Sequence, residues 1–477
     1  MDMENKVRQI RELVEAKREK FARVSDEVWA VPELYFHETK SAAILIKALK
    51  EEGFEVQEGV DGIPTAFIGT WGSGKPVIGI LGEFDALPSL SQEAGCWEHK
   101  EIVKGGPGHG CGHNALGAGA MAAAVAAKDY MEKNGLSGTI RYYGCPAEEA
   151  GWGKMFLARD GYFDDLDACY TWHPGVGNMV QGTSSLANMC AFFTFKGRTS
   201  HAAASPHLGR SALDACELMN VGCNYLREHI LPDERIHYAY TDVGGSAPNV
   251  VQDHACVFYY VRSPRLYQVL DLYERVKDVA RGAALMTGTQ LEIVLNDGLC
   301  DYVPNDTLSK LLYESFCEAG GPKFSEEEKA LAAEFAKTFD PAAVADKART
   351  LAAHFGPEVA EKYKDQILVE DIFPYHASDM ISSGSTDVGD VSYCAPTAQM
   401  NVSTWALCTT GHTWQVTAQS GSDIGRTGTV KAAEVLALAS IKAMQNPELL
   451  EKAKEEWKKT TGGKYVCPVT DDVQPAL

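Results

Sequence analysis

The stretch VIGILGEFDALP, residues 77–88, sets an unbroken apolar run directly against two carboxylates, and its reading decides the fold. Apolar and glycine residues fill 77–82 without alternation, the pattern of a strand buried on both faces as parallel sheets require. Glu83 and Asp85 therefore stand where that strand ends. A short run at 65–70, joined to it through the Gly-Ser-Gly turn of 72–74, predicts a neighbouring strand. Downstream, the loop GGPGHGCGHN (105–114) opens a small-residue stretch at 115–127 that predicts a buried helix, and runs at 139–145 and 167–172 predict two more strands. Upstream, Val7, Ile10, Val14, Phe21 and Val24 predict a helix over 5–24, and a second over 39–50 stops at Gly53. Strands alternating with helices imply an α/β sheet.

From about residue 188 the pattern changes. Strands are expected at 188–196, 236–243, 255–262 and 290–295, with helices at 210–229 and 266–286 between them. That order, β-α-β-β-α-β, is the ferredoxin-like unit, and it could fold as its own domain of about 110 residues. A strand near 399–407 and a long helix near 427–444 then resume the α/β character. Residues 1–187 and 299–477 are thus read as one α/β domain interrupted by an inserted unit at 188–298. Residues 324–368 are rich in Ala, Glu and Lys, with a Ser325-x-x-Glu328 capping box and an Asp340-Pro341 helix start, and are expected to form added surface helices.

Composition narrows the partners. The 477 residues carry 44 basic and 65 acidic side chains, a net charge of −21, with no basic block. Nucleic-acid and anionic-membrane binding need clustered Lys and Arg, so neither is expected, and an anionic ligand must be held by a local positive site. No stretch approaches roughly 18 uninterrupted apolar residues, and the charged N-terminus lacks the apolar core of a signal peptide. Thirteen cysteines without a C-x-x-C pair suit reduced thiols better than a disulfide framework. The expectation is a cytoplasmic protein.

In an open α/β sheet, ligands bind beyond the carboxyl ends of the strands. Glu83 and Asp85 follow the first long strand, Glu148 and Glu149 the strand at 139–145, His173 the strand at 167–172, and His412 the strand near 399–407. His109, Cys111 and His113 open the buried helix. Singly these are weak signals, because a lone His after a strand is more often structural and adjacent glutamates usually form a solvated corner. Together they offer the N, S and O donors that Zn²⁺ and related ions take, with a Glu to spare as general base. A thiolate at Cys111 is plausible because a helix N-terminus and a metal both lower a thiol pKa. The alternative is Cys111 as a covalent nucleophile with His113 as its base.

The segments GEFDALP, GPGHGCGHN, CPAEEAG, TWHPG, GRTSHAAASPHLGRSALDA, GGSAPNVV and GHTW resemble, in the same order, those of the cocatalytic metallo-aminoacylase and carboxypeptidase family. The likeness spans about residues 5–445 apart from 324–368, and its members include glutamate carboxypeptidases and p-aminobenzoyl-glutamate hydrolase. It implies a metallopeptidase-type catalytic domain carrying an inserted dimerisation or lid domain. It also implies two divalent ions, Zn²⁺ or Mn²⁺, bound by Cys111, His113, Glu149, His173 and His412. By the same resemblance Glu148 is the general base, Asp85 orients the site, and His201 stabilises the oxyanion, often across a dimer interface. Asn249 and Arg262 are substrate-binding positions, Arg262 matching a carboxylate-binding arginine. Asn114 departs from the pattern, since many relatives have Asp there. The activity implied is hydrolysis of an N-acyl or N-aroyl amino acid, with p-aminobenzoyl-glutamate or a folate fragment foremost. The alternatives are a broader amidohydrolase or dipeptidase, or a weakly active assembly subunit. The assembly implied is a homodimer, or a heteromer with a related A-type subunit.

Overall fold

The computed structural model describes residues 3–382 and 384–477. Eleven strands are present among them: β1 (Glu55–Glu58), β2 (Phe67–Ser73), β3 (Val77–Glu83), β4 (Gly138–Cys145), β5 (Ala168–Gly175), β6 (Met179–Val180), β7 (Ala187–Lys196), β8 (Arg235–Asp242), β9 (His254–Ser263), β10 (Gln290–Leu299) and β11 (Thr397–Ser403). The apolar run of β3 is buried along its whole length. It sits inside a seven-stranded sheet ordered β1-β2-β4-β3-β5-β11-β6. β4, β3, β5 and β11 are mutually parallel, whereas the flanking pairs are antiparallel.

The small-residue stretch becomes a helix over His113–Asn134, longer than expected and buried along most of its length. Its glycines set the packing distance. A Cβ at Gly117 would lie 2.7 Å from the carbonyl oxygen of Glu83, so only glycine lets the helix rest on the end of β3. The helix Asp423–Met444 packs beside it and closes the core with Val435, Leu436 and Leu438.

Between β6 and β11 the chain builds a second, wholly antiparallel sheet ordered β10-β7-β9-β8, the ferredoxin-like order. Helices Ala212–Leu226 and Leu266–Thr287 cover one face, where Phe193, Phe195, Val257, Tyr259, Met219 and Val276 form a separate core. β8 is a free edge with Tyr238 and Tyr240 exposed on it.

Several expectations need correction. The helix over 5–24 is two, Met3–Ala16 and Arg18–Trp29, broken at Lys17, whose ammonium bridges Glu52 and Asp129 at 2.5 Å each. The helix over 210–229 starts at Ala212, capped by Ser211, and ends in a 3₁₀ turn at Arg227–His229. The strand near 399–407 stops at Ser403, where Thr404 turns back to bond Gly175. The helix near 427–444 begins at Asp423. The capping box forms as expected, with Glu328 accepting from the Ser325 N–H at 2.6 Å and Ser325 Oγ from the Glu328 N–H at 3.2 Å. The helices it starts, however, are more than surface additions. Ala332 and Phe335 are fully buried, and Phe335 lies 6.4 Å from the ring of Trp414 in the GHTW loop. Helices Asp306–Ala319 and Pro447–Thr461 are not among the expected elements, although Leu308, Leu311, Leu312 and Phe316 recur at helical spacing in the first. No helix among the described residues is long and apolar enough to cross a membrane.

Candidate metal and catalytic site

Because β4, β3, β5 and β11 run parallel, their carboxyl ends meet at one edge of the sheet, and the loops that leave them converge there. The loop after β4 turns abruptly. Ala147 takes a φ of +59°, and its N–H donates to the fully buried Glu38 at 2.8 Å, which fixes the turn that presents Glu148 and Glu149. Gly112 makes the corresponding turn at the head of the buried helix with a φ of +76°. A Cβ there would lie 2.9 Å from the Trp405 ring, so glycine is required between Cys111 and His113.

These turns bring the donors together. Cys111 Sγ lies 3.4 Å from His173 Nε2, and Glu149 Oε2 lies 3.5 Å from His412 Nε2. Cys111, His113 and His173 offer three donor atoms within 4.8 Å of one another, and so do Cys111, Glu149 and His412. The two groups share the thiol. A third group, Glu83, His113 and Glu148, adjoins them.

The hydrogen bonds behind the donors determine which lone pairs face inward. His173 Nδ1 lies 2.7 Å from the Pro174 carbonyl, which can only accept, so Nδ1 carries the proton and Nε2 is bare. His113 Nδ1 donates to Asp85 Oδ1 at 2.7 Å, leaving Nε2 buried without a partner. Asp85 Oδ2 accepts the Glu149 N–H at 2.9 Å, so one carboxylate steers two donors. Glu149 Oε1 is likewise buried and unpartnered. Acceptors converging without donors are unfavourable unless a cation sits among them. The residues present therefore fit a pair of divalent ions with Cys111 shared.

Burial lowers the His113 ring, but Cys111 and Asp85 outweigh it and raise His113 well above its usual value while no ion is bound. Burial and the charges of Glu83 and Glu149 push the Glu148 carboxyl well above its usual range. Burial lowers His173 to about 4, helped by the neighbouring His113, so it is a neutral donor. With no ion present, burial and the charge of Glu149 raise the Cys111 thiol. Helix position alone does not make a thiolate here. One partner set was missed in the sequence. Lys154 is fully buried, and its ammonium meets Glu83 Oε1 at 2.8 Å and Asp387 Oδ1 at 2.6 Å. Burial would raise Glu83, but the charge of Lys154 foremost opposes this, and the carboxyl is held below its usual range. Glu83 was visible in the GEFDALP segment beside Asp85. Lys154 and Asp387 carried no signal, since they are 233 residues apart.

Cys111, Glu149, His173 and His412 line a cleft of about 520 Å³, and Tyr260, Arg262 and Ser385 line it too. Arg262 lies over the Tyr260 ring at 5.6 Å, donates to Ser385 Oγ at 3.0 Å, and keeps Nε buried without a partner. His201 and Asn249 do not line this cleft. They sit exposed beside one another on the inserted unit, where the Ala202 N–H donates to the Asn249 carbonyl at 3.0 Å. His201 Nδ1 accepts from the N–H groups of Ala203 and Ala204, which leaves Nε2–H as an outward donor. Asn114 donates to Ser25 Oγ and the Ser420 carbonyl, away from the donor cluster. A larger groove of about 950 Å³ near Arg23 and Arg426 contains none of the donors.

Fold and donor set together define a metallohydrolase of the peptidase type. Residues 79–472 match the family described as Peptidase family M20/M25/M40, and the chain belongs to it, a hydrolase acting on amide bonds. The chain is 42% identical to one of the subunits of p-aminobenzoyl-glutamate hydrolase from Escherichia coli (strain K12), covering 99% of both chains. It is 28% identical to the Xaa-Arg dipeptidase of Mus musculus over 94% of this chain and 92% of that one. It shares its fold with an aminobenzoyl-glutamate utilization protein from Klebsiella pneumoniae, with a TM-score of 0.56 at 16% identity, covering 92% of this chain and 98% of that chain.

Proposed function

We propose that the chain hydrolyses the amide bond of an N-acyl or N-aroyl amino acid, p-aminobenzoyl-glutamate foremost, at a site holding two Zn²⁺ or Mn²⁺ ions. The observation that carries this reading is the pair of three-donor groups sharing Cys111, with Glu148 beside them. Cys111, His113, Glu149, His173 and His412 would hold the ions. When bound, such ions polarise a scissile carbonyl and acidify the attacking water. Glu148 Oε2, 4.0 Å from His113 Nε2, takes the proton from that water and returns it to the leaving nitrogen. Asp85 keeps His113 and Glu149 oriented. Arg262, with Nε free of any intramolecular partner, binds the substrate α-carboxylate. The substrate assignment rests on the relative at 42% identity.

The inserted unit, taken as 188–298, acts as a dimerisation domain that brings His201 to the site of a second copy. Its support is the free β8 edge and the outward Nε2–H of His201, an oxyanion donor that its own cleft does not use. The second copy is the same chain or a related A-type subunit. With every cysteine among the described residues unpaired, the protein is assigned to the cytoplasm.

The test is turnover of purified protein, loaded with Zn²⁺ or Mn²⁺, on acyl-glutamates, acyl-arginines and dipeptides, each as free acid and α-amide. Preferred cleavage of p-aminobenzoyl-glutamate, with the amide form poor, supports the reading. Preference for dipeptides moves the activity to the dipeptidase side, and equal use of acid and amide removes the carboxylate role of Arg262.

A further inference from the structure

The wall of the cleft formed by β11 and β6 carries three carboxamides that the reaction leaves unused. Gln399 and Asn401 lie two residues apart in β11, so both side chains point to one face of the sheet. The pairing of β11 with β5 sets Gln399 beside Thr171 and Asn401 beside the ion-holding His173. β6 pairs on the other side of β11, and Gln181, which follows it, donates its N–H to the Gln399 carbonyl at 2.9 Å. All three side chains line the cleft. Gln399 is only 7% exposed, yet among the described residues its carboxamide has no partner, nor do those of Asn401 and Gln181. Carboxamides that face a cleft without intramolecular partners are free to bond a ligand.

We infer that Gln181, Gln399 and Asn401 are the specificity-determining residues for the acyl half of the substrate, and that they select an acyl group bearing an uncharged hydrogen-bonding substituent at its far end. The inference rests on the proposed amidohydrolase reading and deepens it. On that reading Arg262, which bonds Ser385 and none of the three carboxamides, takes the carboxylate of the amino-acid half, which leaves this strip to the acyl half. Neighbouring strands are about 4.8 Å apart, so the strip begins one strand from His173 and reaches a second strand at Gln181, a span that suits one aromatic ring and its para substituent. Carboxamides both donate and accept and carry no charge, so they match an amine, amide or hydroxyl better than a second carboxylate.

The experiment compares p-aminobenzoyl-glutamate, benzoyl-glutamate and p-carboxybenzoyl-glutamate with wild type, Gln399→Leu and Gln181→Leu. Metal content serves as the folding check, and titration of p-aminobenzoate against benzoate reads binding without turnover. Wild type should prefer the amino over the unsubstituted acyl group by about tenfold or more in kcat/KM, in line with one buried hydrogen bond. Either variant should bring that ratio, and the ratio of the two binding constants, close to one, mainly through KM. An amino-to-unsubstituted ratio unchanged in both variants, with metal retained, overturns the inference. Should Gln399→Leu fail to fold, Gln181→Leu at the sheet edge carries the test. If none of the three acyl-glutamates is cleaved, the proposed function fails. Binding of the two benzoates then still decides the strip.

Discussion

The floor of the cleft and the inserted sheet hold their functional residues in opposite ways. On the floor, most donors are buried and held from behind, by Asp85 for His113 and Glu149, the Pro174 carbonyl for His173 and Lys154 for Glu83, whereas His412 at the rim is exposed. The inserted unit instead leaves His201 and Asn249 in solvent, held only by local backbone contacts. A parallel sheet can gather strand ends from one chain into a prearranged cluster, whereas residues on a four-stranded sheet with a free edge become useful only when something docks. On the proposed reading the floor is complete in one chain, and the roof is not.

The largest expected effect tests the floor. Glu148→Gln should keep both ions while kcat falls by about 10²–10⁴, the usual range for losing a general acid–base. Loss of the ions instead, with activity restored by excess metal, would exchange the roles of Glu148 and Glu149. Lys154→Met should cost about 3–5 kcal/mol in denaturant unfolding, because Glu83 and Asp387 would be left charged and buried. A loss of that size appearing as stability, with little change in KM, separates the support beneath the floor from the chemistry above it.

Mixing inactive His201→Ala chains with inactive Glu148→Gln chains addresses the roof. A shared site should recover part of the activity, since one of the two sites in each mixed dimer is then intact. No recovery after subunit exchange is verified by mass would place the whole site in one chain and erase the contrast between floor and roof.

The smallest expected effect lies at the seam of the two units. Asp390 accepts from the Tyr465 hydroxyl at 2.8 Å and, at 3.3 Å, from the N–H of Cys300, the residue that follows β10. Burial raises its carboxyl to about 7, and the charge of Asp387 adds to the rise. The folded state therefore holds a proton that the unfolded chain releases near pH 4, so this group's contribution to stability falls as pH rises between roughly 4 and 7. Asp390→Asn should flatten that part of the melting-temperature profile relative to wild type. An identical slope in both proteins would assign the pH dependence elsewhere.

Much of the large unit was legible because burial leaves a pattern. The unbroken apolar run of β3 and the alanine and glycine content of the buried helix follow from what must pack against them. The β-α-β-β-α-β order of the inserted unit was legible for the same reason. The break at Lys17 was not, because the residues on either side keep one helical face, and the Glu52 and Asp129 partners of Lys17 are distant in sequence. Nor was the packing of the helices after Ser325 onto the GHTW loop, which rests on the distant Phe335–Trp414 contact.

What the sequence determined by itself is therefore local and periodic: which segments are strands or helices, and which donors stand at strand ends. Tertiary structure alone decided which lone pairs face one another, that burial raises the Cys111 thiol, that Lys154 neutralises Glu83, and that His201 stays outside its own cleft. The physical reason is range. Strand and helix patterns arise between residues a few positions apart, whereas a charge is stabilised or stranded by whatever the fold brings within a few ångströms, from 71 positions along the chain for Glu83 and Lys154 to 233 for Lys154 and Asp387.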